Sequence, residues 1–182
     1  MTTRRGTRAL RTVGLAGGIL GVIILGVVAV VGILGAVQLE HQPEQSETGE
    51  VVAVVDGDTI DVQLSGTTER VRIIGIDTPE IGRDAGEVTD CYAEEARTFL
   101  DELLYGHTVE LRTDSSQQAV DDYGRLLRHV YIDGQNAALA ALSGGVGVEY
   151  TYAAPYAGQT DYRAAESTAR DEQLGLWGAC PR

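Results

Sequence analysis

At 182 residues, the chain is long enough for one globular domain plus an appendage and too short for two full domains. It carries 27 acidic residues against 14 arginines and no lysine, and the formal charge of −13 excludes a broad basic face of the kind that attracts polyanions. Two cysteines and three scattered histidines exclude both a disulfide-built scaffold and a zinc cluster.

The chain divides by composition. Residues 1–12 form a basic N-terminus with Arg4, Arg5, Arg8 and Arg11, and residues 13–37 are almost wholly Gly, Ala, Val, Leu and Ile without a charge. That span exceeds the roughly 20 apolar residues that cross a bilayer as a helix, and the roughly 7–15 of a cleavable signal. It predicts one transmembrane helix, with the arginines in the cytoplasm and the rest of the chain outside. A signal peptide cleaved near Ala36 is the alternative, which would make the protein secreted; a twin-arginine leader is a weaker one. Residues 38–48 are polar, contain Pro43 and read as a linker, and residues 49–182 form the domain. From residue 38 onward ten arginines face all 27 acids, a formal charge of −17. Such a surface either meets no nucleic acid or works in high salt, where screening acts over about 3 Å at 1 M. The acidic, lysine-free composition favours the second and resembles that of proteins from salt-loving organisms.

Val51 to Val55 is an apolar run, Asp56-Gly57-Asp58 is turn chemistry, and Ile60, Val62 and Leu64 alternate with polar residues as a second strand. A third strand, 70–76, ends at Asp77-Thr78-Pro79, where proline stops the pairing. After a Gly- and Asp-containing loop at 81–90, the spacing predicts a helix over 91–105, capped by Asp90 and stopped by Gly106, with Ala93, Ala96, Leu100 and Leu103 buried. Strands at 107–113 and 125–133 flank a polar loop. A short helix at 135–143, an irregular Gly- and Tyr-rich stretch at 144–158, and a last helix over 161–174 capped by Thr160 complete the chain. Five strands with about three helices, one inserted after the third strand, predict an α+β domain: a five-stranded OB-fold barrel with packed helices.

Asp58 starts the second strand and Asp77 ends the third, so in a meander the two carboxylates are neighbours. Together they repel unless a cation intervenes, and an all-oxygen pair suits Ca2+ or Mg2+ rather than Zn2+. Asp56 and Asp58 taken alone read equally well as plain turn residues. Glu80, past the rigid Pro79, supplies a carboxylate able to take a proton from water. Arg72 and Arg125 supply planar forks that bind two phosphate oxygens at once. A metal, a base and two guanidinium groups are the parts that hydrolyse a phosphodiester. Cys91 and Cys180 are expected to form a disulfide if the domain lies in an oxidising compartment, adding about 4 kcal/mol by restricting the unfolded chain; two buried thiols are the alternative.

Four stretches in order carry a resemblance: VVDGDTI (54–60), RVRIIGIDTPE (70–80), DDYGRLLRHVYIDG (121–134) and AAESTARDEQLGLW (164–177). From about residue 49 to 177 the chain resembles the staphylococcal nuclease, or thermonuclease, family. The resemblance implies an OB-fold and a Ca2+-dependent endonuclease acting on DNA and RNA, leaving 3′-phosphate and 5′-hydroxyl ends. It implies Ca2+ held by Asp58, Asp77 and the Thr78 carbonyl, with Glu80 as general base or water-orienting group. Arg72 and Arg125 would hold the phosphate, and Tyr150 and Tyr152 would contact the nucleotide. Glu166 and Trp177 match positions that hold the fold. Asp122 stands where the family often has a basic residue, the segment after Gly134 is about two residues shorter than the family pattern, with Asn136 as its buried amide, and the loop at 81–90 does not align. A non-catalytic OB-fold module that binds an oligonucleotide or protein is the competing reading, one that has no need of all five core residues. No protein partner is evident, and a monomer is expected.

Overall fold

The computed structural model describes residues 45–181. The strands are β1 (Ser46–Val54), β2 (Thr59–Leu64), β3 (Thr67–Ile73), β4 (Ile76–Asp77), β5 (Thr108–Arg112), β6 (Leu126–Ile132), β7 (Gln135–Asn136) and β8 (Val148–Glu149). The helices are α1 (Ala93–Leu104), α2 (Ala137–Ser143), α3 (Gln159–Asp171) and the short α4 (Leu176–Ala179).

β1, β2 and β3 form the expected antiparallel meander, turned between β2 and β3 by Ser65 and Gly66 at φ 48° and 93°. β1 also pairs with β5 and β5 with β6, and β6 runs parallel to β3. That last pairing closes a five-stranded mixed barrel, an OB-like α+β architecture without an open edge. The inward positions of the alternating strands, among them Val51, Ile60, Val62, Val71, Leu111 and Val130, fill the barrel. Leu100 and Leu104 of α1, Leu142 of α2 and Tyr162 of α3 extend the same core. Leu103, expected inside, is only half-buried; one step further round the helix, Leu104 takes the core position.

Several expectations change. β1 begins at Ser46, inside the stretch read as linker, because Ser46–Glu50 pair with β5 and backbone pairing asks nothing of side-chain polarity. α1 begins at Ala93 after Tyr92 in left-handed conformation, with no side-chain cap; the Asp90 carboxylate instead accepts the Glu80 backbone N–H at 3.2 Å. α3 starts after Gly158, at φ 82°, and not at Thr160. The stretch at 144–158 contains β8, which pairs with β4 as a separate two-stranded ribbon. Asn136 caps α2, its side chain accepting the Leu139 N–H at 2.9 Å. Cys91 and Cys180 are bonded to each other, with Cα atoms 5.9 Å apart, and so join the entry of α1 to the end of α4. The basic N-terminus 1–12, the expected transmembrane helix 13–37 and most of the linker lie outside the described residues. Among the described residues no helix is long and apolar enough to cross a membrane.

Candidate active site

The site begins at the turn that opens β2. Val55 and Asp56 N–H groups both reach the Thr59 carbonyl, and the Asp56 carboxylate accepts the Asp58 N–H at 3.2 Å. This turn buries the Asp58 side chain and aims it at the β3–β4 connection, where Gly75 at φ 90° bends the chain. A Cβ at Gly75 would lie 2.5–2.7 Å from the Tyr162 and Tyr156 rings, so only glycine fits there. After the bend, Thr78 donates its N–H and its hydroxyl to Asp58 Oδ2 at 3.0 and 3.2 Å. Asp77 and Asp58 are thereby brought to one place, although Asp77 lies on β4 and not at the end of the third strand.

Arg72 bridges the two carboxylates. Its Nε lies 3.1 Å from Asp58 Oδ1, and its Nη2 donates to Asp77 Oδ1 at 2.8 Å. Its Nη1 donates to the Ile73 and Ile76 carbonyls at 2.9 and 2.6 Å. Three of the five guanidinium N–H groups donate hydrogen bonds, Nε–H serves the ion pair with Asp58, and one N–H on Nη2 is left for a ligand. Arg125 is the opposite case. Only its Nε is engaged, donating to Asp121 Oδ2 at 2.7 Å, and among the described residues neither terminal nitrogen has a hydrogen-bond partner. Asp121 also accepts the backbone N–H groups of Tyr123 and Arg125 at 2.9 Å each. Burial pushes the Asp121 carboxyl up, but these donors outweigh it and hold its pKa below the usual range.

Arg72, Asp77, Glu80, Arg125, Tyr150 and Tyr152 line one cavity of about 290 Å³. Asp58 and Thr78 lie behind that wall, both buried. The Glu80 carboxylate has no hydrogen-bond partner among the described residues, while its backbone is clamped to Asp90 in both directions, with Asp90 N–H donating to the Glu80 carbonyl at 2.9 Å. Burial, then Asp56 and Asp77, raise the Glu80 pKa against Arg72 and Arg83. A carboxylate whose pKa is raised and whose oxygens are open is suited to take a proton from water.

Charge and donor chemistry fit a hard divalent cation. Asp58 is pushed up to about 7, chiefly by burial and further by Asp56, against the pull of Arg72, Thr78 and Thr59. Asp56, Asp58, Asp77 and Glu80 thus crowd more negative charge than the neighbouring arginines offset. Asp58 Oδ2 already accepts two bonds from Thr78, whereas Oδ1 accepts only the Thr59 hydroxyl and lies 3.1 Å from Arg72 Nε, so Oδ1 is the oxygen with a lone pair left for a cation. Among the described residues no three His, Cys, Asp or Glu side chains form a ready cage, so water, backbone or substrate oxygens would complete the shell.

Some members of the site were not legible in the chain. Asp121 orders the loop before Arg125, a role the DDYGR spacing hints at as an Asx-type turn. Arg83, in the loop at 81–90, reaches back to the Val55 carbonyl at 2.7 Å and to Asp56. Gln117, Tyr123 and Tyr156 also line the cavity, and Gln117 ties the 114–122 loop to Ala154. No local pattern marks those three.

Comparison with known proteins gives the family. The family model described as staphylococcal nuclease homologue matches residues 70–179, more than half of the chain. The match takes in Arg72, Asp77, Thr78, Glu80 and Arg125, and begins after Asp58. The chain is 34% identical to the SPbeta prophage-derived endonuclease YokF of Bacillus subtilis, over 68% of this chain and 41% of that protein. It is 32% identical to the endonuclease YncB of the same organism, over 68% of this chain and 58% of the relative. Against the micrococcal nuclease of Shigella flexneri the identity is 34%, over 71% of this chain and 72% of the relative. The chain thus spans well under two thirds of the length of either Bacillus endonuclease.

Proposed function

The chain belongs to the staphylococcal nuclease family, and from that premise we propose that it is a Ca2+-dependent endonuclease cleaving DNA and RNA to 3′-phosphate and 5′-hydroxyl ends. The observation that carries this reading is one cavity that places the open carboxylate of Glu80 and the open guanidinium of Arg125 in the same wall. Glu80 takes the proton of the attacking water, held in place by the two-way backbone clamp to Asp90. Arg125, oriented by Asp121, grips two phosphate oxygens and offsets the charge that builds on them in the transition state. Arg72 contributes its one remaining N–H and otherwise locks Asp58 and Asp77 together. The water oxygen bonds to phosphorus as the bond from phosphorus to the 5′ oxygen breaks, and that oxygen takes a proton from solvent water and leaves as the 5′-hydroxyl. Asp58, Asp77 and the Thr78 carbonyl would hold Ca2+, which supplies Lewis-acid polarisation of the phosphate. Tyr150 and Tyr152, at the cavity wall, would receive the nucleotide base.

The charge-free span at 13–37 and the arginines before it support a tether that leaves this domain on the outer face of a membrane. Protease added to intact cells would then remove the domain; protection of the domain would overturn the placement.

The test of the activity uses the full chain in detergent on single-stranded DNA and on RNA, at low and molar NaCl, with Ca2+ or chelator. Calcium-dependent cleavage that falls by about three orders of magnitude in Glu80→Gln is the expected result. Oligonucleotide binding without cleavage at any salt would replace the enzyme with a binding module.

A further inference from the structure

The Glu149 carboxylate takes no part in the chemistry above, yet its side chain is only 9% exposed and is bonded at both oxygens. Oε1 accepts the Thr151 hydroxyl at 2.6 Å and the Tyr156 hydroxyl at 2.9 Å, and Oε2 accepts Arg163 Nε at 2.9 Å. Its backbone N–H donates to Glu166 Oε2 at 3.1 Å, so α3 holds this residue at three points, through Gln159, Arg163 and Glu166. Burying a carboxylate is costly unless donors offset it, and here four do, the fourth being Gln159 Nε2 at 3.4 Å from Oε1. The network therefore has a location that calls for explanation.

Glu149 ends β8, facing Ile76 of β4, and its neighbour Val148 faces Asp77. The Tyr150 N–H donates to the Gly75 carbonyl at 3.2 Å, and the Tyr156 hydroxyl lies 3.3 Å from that same carbonyl. Glu149 thus sits between α3 and the bend that delivers Asp77. Along an extended segment, side chains alternate between faces. With Glu149 and the Thr151 hydroxyl drawn inward to each other, Tyr150 and Tyr152 turn to the opposite face. There both rings line the cavity, 43% and 53% exposed, with centroids 6.4 Å apart.

We propose that Glu149 is a positioning residue: by clasping Thr151, Tyr156 and Arg163 it holds the Tyr150–Tyr152 pair as a rigid platform for one substrate base. The proposal rests on the nuclease reading for its substrate class and adds the residue that presents the platform. Stacking of a base on such a ring tolerates any sequence, so the platform reads the presence of a base and not its identity.

The experiment is a binding titration of the full chain in detergent with chelator present, so that no strand is cut. The ligands are single-stranded oligonucleotides in which one abasic nucleotide is moved along the strand, and the same series is then cleaved with Ca2+. The wild-type chain is expected to lose about tenfold in affinity, and its KM to rise about tenfold, with the abasic nucleotide at one position. In Glu149→Ala that position ceases to matter, because the platform no longer engages the base. Glu149→Gln keeps an acceptor for Thr151 and Tyr156 and restores the discrimination. Thr151→Val, which removes one clasp without touching the buried charge, shows the same loss as Glu149→Ala and serves where that variant does not fold. A merely structural role lowers the melting temperature and the folded fraction but leaves the abasic position as sharp as in wild type. That outcome, or a wild-type chain with no sensitive position, overturns the proposal. Binding discrimination without cleavage by the wild-type chain leaves the platform standing and overturns only the nuclease reading.

Discussion

Arg72 and Arg125 have the same side chain and opposite situations. Arg125→Ala removes a fork whose terminal nitrogens meet no protein acceptor among the described residues, and it is expected to lower kcat/KM about 1,000-fold. Its melting temperature should stay within a few degrees of wild type. Arg72→Ala instead strips the counter-charge from the buried Asp58, at a cost of about 3–5 kcal/mol, and lowers the melting temperature by about 10 °C. Parallel calorimetry and kinetics on the two variants separate these outcomes; equal losses of stability would contradict the assignment. Asp114 gives the pH dependence at this scale. Burial pushes its carboxyl up, but donors from Ser116, Ala157 and His129 hold it down at about 2. A depressed folded pKa gives stability that is present above the unfolded value of 3.8 and lost as pH falls from there toward 2. The amount is about 2 kcal/mol. Asp114→Asn should show a urea stability curve flatter than wild type by that amount between pH 5 and pH 2.

At the scale of elements, the loop from Glu80 to Asp90 is a closed unit rather than an entry to a helix. Its two ends bond each other, Glu87 accepts the Arg83 and Asp84 N–H groups, and Arg83 reaches the β1–β2 turn. The Cys91 disulfide follows directly. If Asp90 served as a cap, Asp90→Ala would unwind the start of α1. As a clamp on the Glu80 backbone, it should instead lower kcat about tenfold, because a small displacement of the base is enough. Circular dichroism beside single-turnover kinetics decides between the two. The β4–β8 ribbon plays the matching part on the other wall, linking the bend before Asp77 to the tyrosine segment.

For the whole molecule, the disulfide spans a sequence separation of 89 and ties two distant segments. Opening it should lower stability by about 4 kcal/mol, or about 10 °C in melting temperature, with the barrel still formed below that temperature. A reduced protein that melts like the oxidised one would show that the ends of α1 and α4 stay together without it. The formal charge of −17 from residue 38 onward makes self-repulsion a general load on the fold. Molar NaCl should therefore raise the melting temperature, and unchanged or lower stability would count against a high-salt habitat.

Much of this protein was legible in local order. Alternation marked the β2 strand, glycine and aspartate marked the turns, and four motifs in order identified the family and named the carboxylates and arginines of the candidate site. These features depend on neighbours a few residues apart, and the chain carries them whether folded or not. What only the tertiary structure decided depends on barrel closure. Thr78 meets Asp58 across 20 residues and Tyr156 meets Gly75 across 81, and these bonds exist only once β3 lies beside β6 and α3 is docked. For the same reason the sequence could not show that Arg72 spends most of its donors on the protein while Arg125 keeps its own. Nor could it show that Asp90 holds Glu80, or that Glu149 clasps Thr151 beneath two tyrosines. Residue types and their order are written in the chain, whereas the division of hydrogen bonds among them is settled by which donors lie within reach of which acceptors once the barrel has closed.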